Sequence, residues 1–310
     1  MSENRIRHAS IHGTMTVDQL VRQMDGCAFG AGRIGTACDI LEEMQARDVL
    51  KFFGLSGAMV PAGMRNIISG MIRDGYIDVL ITTGANMVHD VIEGIGGCHE
   101  KGSETADDIE LKTRHINRIY DVYLNEDYFG CLETKMQQVY TGMDPKKTYS
   151  IRELMAEIGK NIDDKDSILR SAYECGVPVY CPAVQDSVLG LQAWLFKQAN
   201  RLNVDAFGDM REFMDMCYSA KRTGALLIGG GVPKNYVLQS MLVTPHGGFD
   251  YVIQITMDRA ETGGLSGATL DEARSWGKVG ENAKAVQVIC DATIALPIML
   301  AAVNERRGRK

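Results

Sequence analysis

The 310 residues carry 33 Lys and Arg against 40 Asp and Glu, a net charge of −7, with 45% hydrophobic and 24% charged residues. The acidic balance excludes a generic nucleic-acid or anionic-membrane surface, and the composition excludes disorder. No apolar run approaches the ~20 residues of a bilayer span, and the opening MSENRIRHASIHG lacks the apolar stretch of a secretory signal, so the expectation is a cytoplasmic protein with no membrane and no nucleic acid among its partners.

In chain order, Thr16 to Gln45 has the spacing of a helical N-terminal extension. Val49 to Leu55 reads as a strand, Met64 to Met71 as a helix with Ile67, Ile68 and Met71 on one face, and Ile77 to Thr82 as a second strand. Gly97 to Leu111 and Asn125 to Lys147 are polar and turn-rich, long loops or partly helical excursions. Ser150 and Glu153 form a capping box that opens a helix over Ile151 to Ile162. Further strands are predicted at Pro178 to Cys181, Ala225 to Ile228, Tyr251 to Thr256 and Val286 to Cys290, with helices at Val188 to Phe196 and Phe207 to Tyr218. Several strands are nearly unbroken hydrophobic runs, as in parallel strands covered on both faces. The predicted fold is therefore α/β: a doubly wound, mainly parallel sheet with helices on both faces, residues 1–48 forming the helical extension and 49–310 a single domain.

The eight cysteines form no CxxC pair and read as buried free thiols of a reducing compartment. His89 and His99 flank one apolar segment with only Asp90, Glu93 and Glu100 nearby, a spacing that argues against a metal site. No metal is expected.

Ligands of open parallel sheets bind outside the carboxyl ends of the strands, and four such ends carry small or polar residues. Thr82, Thr83, Gly84, Ala85 and Asn86 follow the second strand, where backbone amides and hydroxyls can meet a phosphate or ribose; the alternative is an ordinary turn. Gly229, Gly230 and Gly231 leave a ligand unobstructed before a helix that Pro233 can start. Asp291, Ala292 and Thr293 follow the last strand, where the carboxylate accepts from a ribose hydroxyl or caps the next helix. Asp186 lies in the loop after Cys181. Jointly these favour a nucleotide-sized ligand across the sheet edge.

The densest constellation is ETGGLSGATLDEARSWGK, residues 261 to 278. A loop with Gly263, Gly264, Ser266 and Gly267 leads into a short helix from about Leu270. The four-residue spacing puts Glu272 and Trp276 on one face, and Gly277 can end the helix so that Lys278 turns to the same pocket. A carboxylate and an indole suit an amine cation, and a lysine desolvated or held beside other cations becomes a nucleophile for imine formation. The alternative is a solvated Glu/Lys face with one packing tryptophan.

SWGK (275–278), VICDATIALP (288–297), LLIGGGVPKN (226–235), VLITTGANMVHD (79–90) and GMRNIISGMI (63–72) together resemble the deoxyhypusine synthase family, in order from about residue 29 to 303. The resemblance implies a Rossmann-like, NAD-binding domain and a homotetramer. It also implies oxidation of spermidine, passage of its aminobutyl group to an enzyme lysine as an imine, transfer to a lysine of the hypusine-containing initiation factor, and reduction by the same cofactor. Carried over by position, Lys278 forms the imine, Trp276 packs on the polyamine and Glu272 pairs with an amine. Thr83, Gly84, Ala85, Asp186, Gly229, Gly230, Gly231, Ser266, Asp291 and Ala292 line NAD.

The departures bear on substrate. Asp121 stands where the family has an asparagine in the polyamine pocket, and becomes a candidate amine anchor. Leu191 and Leu265 replace acids, and Asn235 replaces a histidine. Two lost carboxylates remove charge-assisted bonds worth roughly 1.5 to 3 kcal/mol each, partly restored by Asp121. Such changes resemble the prokaryotic deoxyhypusine synthase-like branch, and that resemblance admits a small amine as acceptor beside the protein lysine. Alternatives are therefore the same chemistry on a free diamine or guanidino amine, as in a homospermidine synthase, or a silent NAD-binding paralogue in a mixed tetramer. Retention of Lys278, Trp276 and Glu272 weighs against the last.

Overall fold

Thr16 opens the first helix, α1 (Val17–Asp25), through a capping box with Gln19, and α2 (Phe29–Glu43) follows, so the N-terminal extension is helical as expected. The computed structural model describes residues 5–308. After β1 (Val49–Leu55) come α3 (Arg65–Arg73), β2 (Val79–Thr82), α4 (Gly84–Gly94), β3 (His99–Lys101), α5 (Asp108–Thr113), β4 (Ile116–Ile119), β5 (Val122–Asn125) and α6 (Asp127–Thr141). Then follow β6 (Thr148–Ser150), α7 (Ile151–Lys160), α8 (Ile168–Cys175), β7 (Val179–Tyr180), α9 (Val188–Ala199), β8 (Asn203–Asp205) and α10 (Met210–Ser219). The chain ends with β9 (Arg222–Ile228), α11 (Gly231–Gln239), β10 (Phe249–Thr256), α12 (Leu270–Ser275), β11 (Val279–Ile289) and α13 (Ala292–Arg306).

These elements pack as two units. One joins the chain up to Leu55 to the chain from Met214 onward; the other is Ser56–Phe213. The boundary expected near residue 48 therefore falls inside the first unit, whose opening segment runs on through β1.

In the first unit β1, β9, β10 and β11 form a parallel sheet in the order β11-β10-β9-β1. Helices cover both faces. A Cβ on Gly224 would meet Met44 at the end of α2, whereas one on Gly54 would meet Leu227 and the backbone of Pro233 in α11. With both faces covered, β1 is buried except at Leu50, which is why VLKFFGL reads as an apolar run. β11 lies at the sheet edge and begins well before its apolar stretch, because its exposed side tolerates Glu281, Asn282 and Lys284. Arg306 of α13 ties the extension down, pairing with Asp18 of α1 and with Asp39 and Glu42 of α2 at 2.7 and 3.2 Å.

The second unit pairs β2 with β7 and β6 with β8, both parallel, and adds an antiparallel sheet β3-β5-β4. β3 and most of α5 fall in the stretch Gly97 to Leu111 and α6 in Asn125 to Lys147, the partly helical alternative of the sequence reading, while β4 and β5 lie between the two stretches. The signal for α6 was Leu132, Met136, Val139 and Tyr140, one buried helical stripe within a polar segment. The capping box at Ser150 opens α7 as the sequence predicts. A buried cluster holds the unit together: Asp90, fully buried on α4, accepts from Arg65 Nε at 2.7 Å, Ser167 Oγ at 2.8 Å, and the Ile168 and Leu169 amides at 2.9 Å. It thus neutralises Arg65 and caps α8 at once.

All eight cysteines are free, but only Cys38, Cys181 and Cys217 are buried. Cys98, Cys131 and Cys175 are exposed, contrary to the expectation of buried thiols. Burial pushes the Cys38 and Cys181 thiols up to about 12. Among the described residues no helix is long and apolar enough to cross a membrane.

Candidate active site

In the first unit β9, β10 and β11 end level, Gly229 N donating to Ile255 O and Cys290 N to Thr256 O, so the turns after them share one sheet edge. After β9 the chain passes Gly229, Gly230 and Gly231 and enters α11, whose N-terminus has no side-chain cap. A Cβ on Gly230 would lie 2.2 Å from Cα of Ser266, so this glycine exists to let the 261–268 loop cross the turn. After β11, Asp291 caps α13 by accepting from Thr293 N at 2.8 Å, the capping alternative of the sequence reading, with Ala292 as the first residue of α13. At the end of β2, in the second unit, Thr83 caps α4 and Ala85 is exposed. Gly84 there makes room for Ser187, whose Oγ would lie 2.3 Å from an added Cβ. Asp186 sits exposed in the turn just before α9.

Thr269 caps α12, and the helix stops at Ser275. Gly277 follows at φ 69°, a left-handed conformation that turns the chain so that Lys278 comes back beside Glu272. The three residues picked from the sequence line one cavity of about 180 Å³, with Lys234, Asn235 and Leu265 around them. Trp276 is 65% exposed, which is not the burial of a packing tryptophan. Its ring lies 5.8 Å from Lys278 Nζ. Glu272 makes no ion pair among the described residues, so its carboxylate is available to a cation. Lys278 Nζ donates to Asn235 Oδ1 at 3.1 Å, and Asn235 is itself held by Gln239 one turn along α11 at 3.0 Å. Asn235, where the resemblance implies a histidine, is thus an amide that accepts from the lysine and takes no proton from it.

Sequence reasoning missed Lys234. Its side chain is buried, and its ammonium donates to Gln254 Oε1 at 3.0 Å, Leu265 O at 2.8 Å and Ala268 O at 2.6 Å. Burial pushes it down to about 8, with Lys278 adding to the effect and Glu272 opposing it. The desolvated lysine of this cavity is thus Lys234, but with three acceptors it is a strut for the 265–268 loop and not a free nucleophile. Gln254 completes the strut by donating to Gly229 O and Ser266 O. The signal was available: GGGVPK puts a lysine one helical turn beyond Gly230.

Between about pH 8 and 10.5 the unfolded chain holds a proton on Lys234 that the folded chain has lost, so stability rises with pH through that window. Wild type should gain up to about 3 kcal/mol over Lys234→Met across it, about 1.4 kcal/mol per pH unit at most. Urea denaturation of both proteins at about pH 7 and about pH 9.5 checks the sign.

Asp121 does not line this cavity. It sits exposed in the turn between β4 and β5, its carbonyl accepting from Gly102 N. Leu191 is exposed on α9.

A family model for deoxyhypusine synthase matches residues 19–303. The "Probable deoxyhypusine synthase 1" of Methanosarcina mazei is 62% identical over 306 residues, 98% of this chain and 96% of the relative. The chain belongs to the deoxyhypusine synthase family. Another protein of the same description, from Archaeoglobus fulgidus, is 44% identical over 304 residues, 98% of this chain and 99% of that one. A crystal structure described as a "putative deoxyhypusine synthase from Entamoeba histolytica" shares the fold at a TM-score of 0.63, with 15% identity and 96% of each chain covered. Membership in the deoxyhypusine synthase family indicates an enzyme. It also accounts for the α/β fold with a mostly parallel sheet and helices on both sides.

Proposed function

We propose that the protein is an NAD-dependent aminobutyl transferase of the deoxyhypusine synthase type, working in the cytoplasm as a homotetramer. Its donor is spermidine or a related polyamine, and its acceptor is the initiation-factor lysine. The observation that carries this reading is the convergence of Lys278, Trp276 and Glu272 on one cavity. Glu272 pairs with a donor ammonium, the Trp276 face attracts the cation and covers the methylene chain, and Asn235 aims Lys278 at the electrophilic carbon. Lys278 then attacks the C=N carbon of the oxidised donor, the donor's other amine fragment leaves as the old C–N bond breaks, and the lysine carries the aminobutyl group as an imine until the acceptor amine displaces it.

The α11 turn provides a test of cofactor fit. Gly229 and Gly231 lie at φ 67° and 57°, the helix start is uncapped, and a Cβ on Gly231 would meet nothing within 4 Å. A helix N-terminus that no side chain caps, beside unobstructed space at Gly231, suits a dinucleotide phosphate. Gly229, Gly230, Gly231, Ser266, Asp291 and Ala292 would hold NAD in this unit. Thr83, Gly84, Ala85 and Asp186 of the other unit are assigned to it on the resemblance. When bound, NAD takes up a hydride from the donor and returns it to the product.

One observation favours a second reading. Leu265, which stands where the family has an acid, lines the cavity itself and leaves it one carboxylate short. A free diamine or guanidino amine as substrate then becomes the alternative to the protein lysine. Incubation with NAD and labelled spermidine, with and without the initiation factor, separates the two. Label on the factor is the expected result; label in a small polyamine supports the alternative; no release from spermidine refutes both.

A further inference from the structure

The cavity beside Lys278 has a charge balance that a donor cationic along its whole length does not match. Glu272 is the one carboxylate among its lining residues, against the two amines of Lys234 and Lys278. Lys234 is 3% exposed, and its ammonium donates to Gln254 Oε1, Leu265 O and Ala268 O, all of them neutral. It makes no ion pair among the described residues, so its charge is hydrogen-bonded but not cancelled. Burial pushes it down only to about 8, which leaves it a cation at pH 7.

The other polar groups of the cavity are already engaged. Thr269 Oγ1 accepts from the Glu272 amide at 3.0 Å, Asn235 Oδ1 accepts from Lys278 Nζ, and Asn235 Nδ2 donates to Gln239 Oε1. Much of the remaining lining is apolar, from Leu238, Leu265 and Trp276. Glu272 and Trp276 are four residues apart, so carboxylate and indole serve the same ammonium. A second ligand ammonium finds no counter-ion in this lining and meets the charge of Lys234.

An aminobutyl donor has two arms on the nitrogen beside which it is oxidised. The aminobutyl arm stays on Lys278 and ends in the ammonium that Glu272 holds. The other arm leaves, and in spermidine it carries a second primary ammonium. We propose that the donor this cavity prefers is a secondary amine with one aminobutyl arm and an uncharged far arm, and that Leu265 sets the preference. The proposal rests on the aminobutyl-transfer reading above and alters none of its bonds. The same C–N bond breaks with either donor, and the fragment released is an alkylamine in place of diaminopropane. Leu265 suits the role because its side chain lines the cavity while Lys234 Nζ holds its carbonyl at 2.8 Å, so the lysine that repels a cation also fixes the apolar group. An alkyl arm laid against Leu265 and Leu238 leaves water at a gain, whereas an ammonium there gives up its water without a partner.

The test compares spermidine with N-butylputrescine, in which a methyl group replaces the primary amine of the far arm at the same chain length. Calorimetry on the full-length protein at about pH 7 without NAD reads binding with no turnover, and NADH formation with NAD present reads kcat/KM. N-butylputrescine should bind at least about tenfold more tightly and be oxidised with a kcat/KM higher by about the same factor, the low end of what an unpaired charge costs. Leu265→Asp should swing the binding ratio about ten- to a hundredfold towards spermidine, while Leu265→Asn, which adds no charge, should keep the preference for the butyl amine. A smaller preference in wild type, a preference for spermidine, or no binding of either amine overturns the proposal. So does a folded Leu265→Asp protein with the wild-type ratio. The wild-type comparison needs no variant, so it decides the donor preference however Leu265→Asp folds. If NADH forms faster with spermidine, the proposed function stands and this proposal falls. If wild type forms no NADH with either amine, the proposed function falls, and the binding order alone decides the charge preference of the cavity.

Discussion

Arginine in place of Lys278 leaves a folded protein with no aminobutyl transfer, a loss of at least about 10³-fold, equivalent to about 4 kcal/mol of transition-state stabilisation. A guanidinium stays protonated and has no lone pair to attack an electrophilic carbon. The fold should not notice. The side chain of Lys278 meets Asn235 of the cavity, whereas its amide and carbonyl make backbone bonds to Ala273 O and Phe249 N that arginine keeps. Thermal unfolding should therefore move by no more than about 0.5 kcal/mol. Transfer assays and melts on the same preparation check both halves. An active Lys278→Arg protein would mean that another group carries the aminobutyl unit.

Asp90→Asn should destabilise the protein nearly as much as Asp90→Ala, by about 3 to 5 kcal/mol, although asparagine matches aspartate in shape. All four groups around the carboxylate donate: Arg65 Nε and the Ile168 amide to Oδ1, Ser167 Oγ and the Leu169 amide to Oδ2. An amide can present only one oxygen, so its NH₂ must face the Leu169 amide on one side or the Arg65 and Ile168 donors on the other in a dry site, and Arg65 loses a buried counter-ion. Arg65 keeps Asp164 at 2.7 Å, which limits the loss. Urea unfolding of the two variants measures it. A mild Asp90→Asn beside a severe Asp90→Ala would show that the site holds a neutral group and that the charge is not what caps α8.

How much of this was legible in the sequence depended on what each residue answers to. β1 declared itself because a strand buried on both faces must be apolar throughout, and α7 because Ser150 and Glu153 satisfy each other's backbone donors. The antiparallel sheet β3-β5-β4 did not, since short strands with half-exposed faces carry residues such as Glu100 and Arg118 that a loop would carry equally well. The split into two units was hidden because it joins β1 to strands some 170 residues away, a relation no local pattern records. In the site, Glu272, Trp276 and Lys278 were readable because helical spacing and one glycine bring them together within seven residues. For Lys234 the sequence offers only its place one turn beyond Gly230; its partners lie in β10 and in the 265–268 loop, and only the fold brings them to its ammonium. Asp121 was chosen by position in a resemblance, and its place in a hairpin turn followed from Tyr120 and the strands around it.

The measurement closest to the central claim is reductive trapping. The protein is incubated with NAD and spermidine, treated with borohydride, digested, and each lysine-containing peptide weighed. An imine on a lysine becomes a stable secondary amine, so the account predicts an added aminobutyl group on Lys278 and on no other lysine. Trapping on Lys234, the other lysine of the cavity, or no trapping at all while spermidine is consumed, would contradict it.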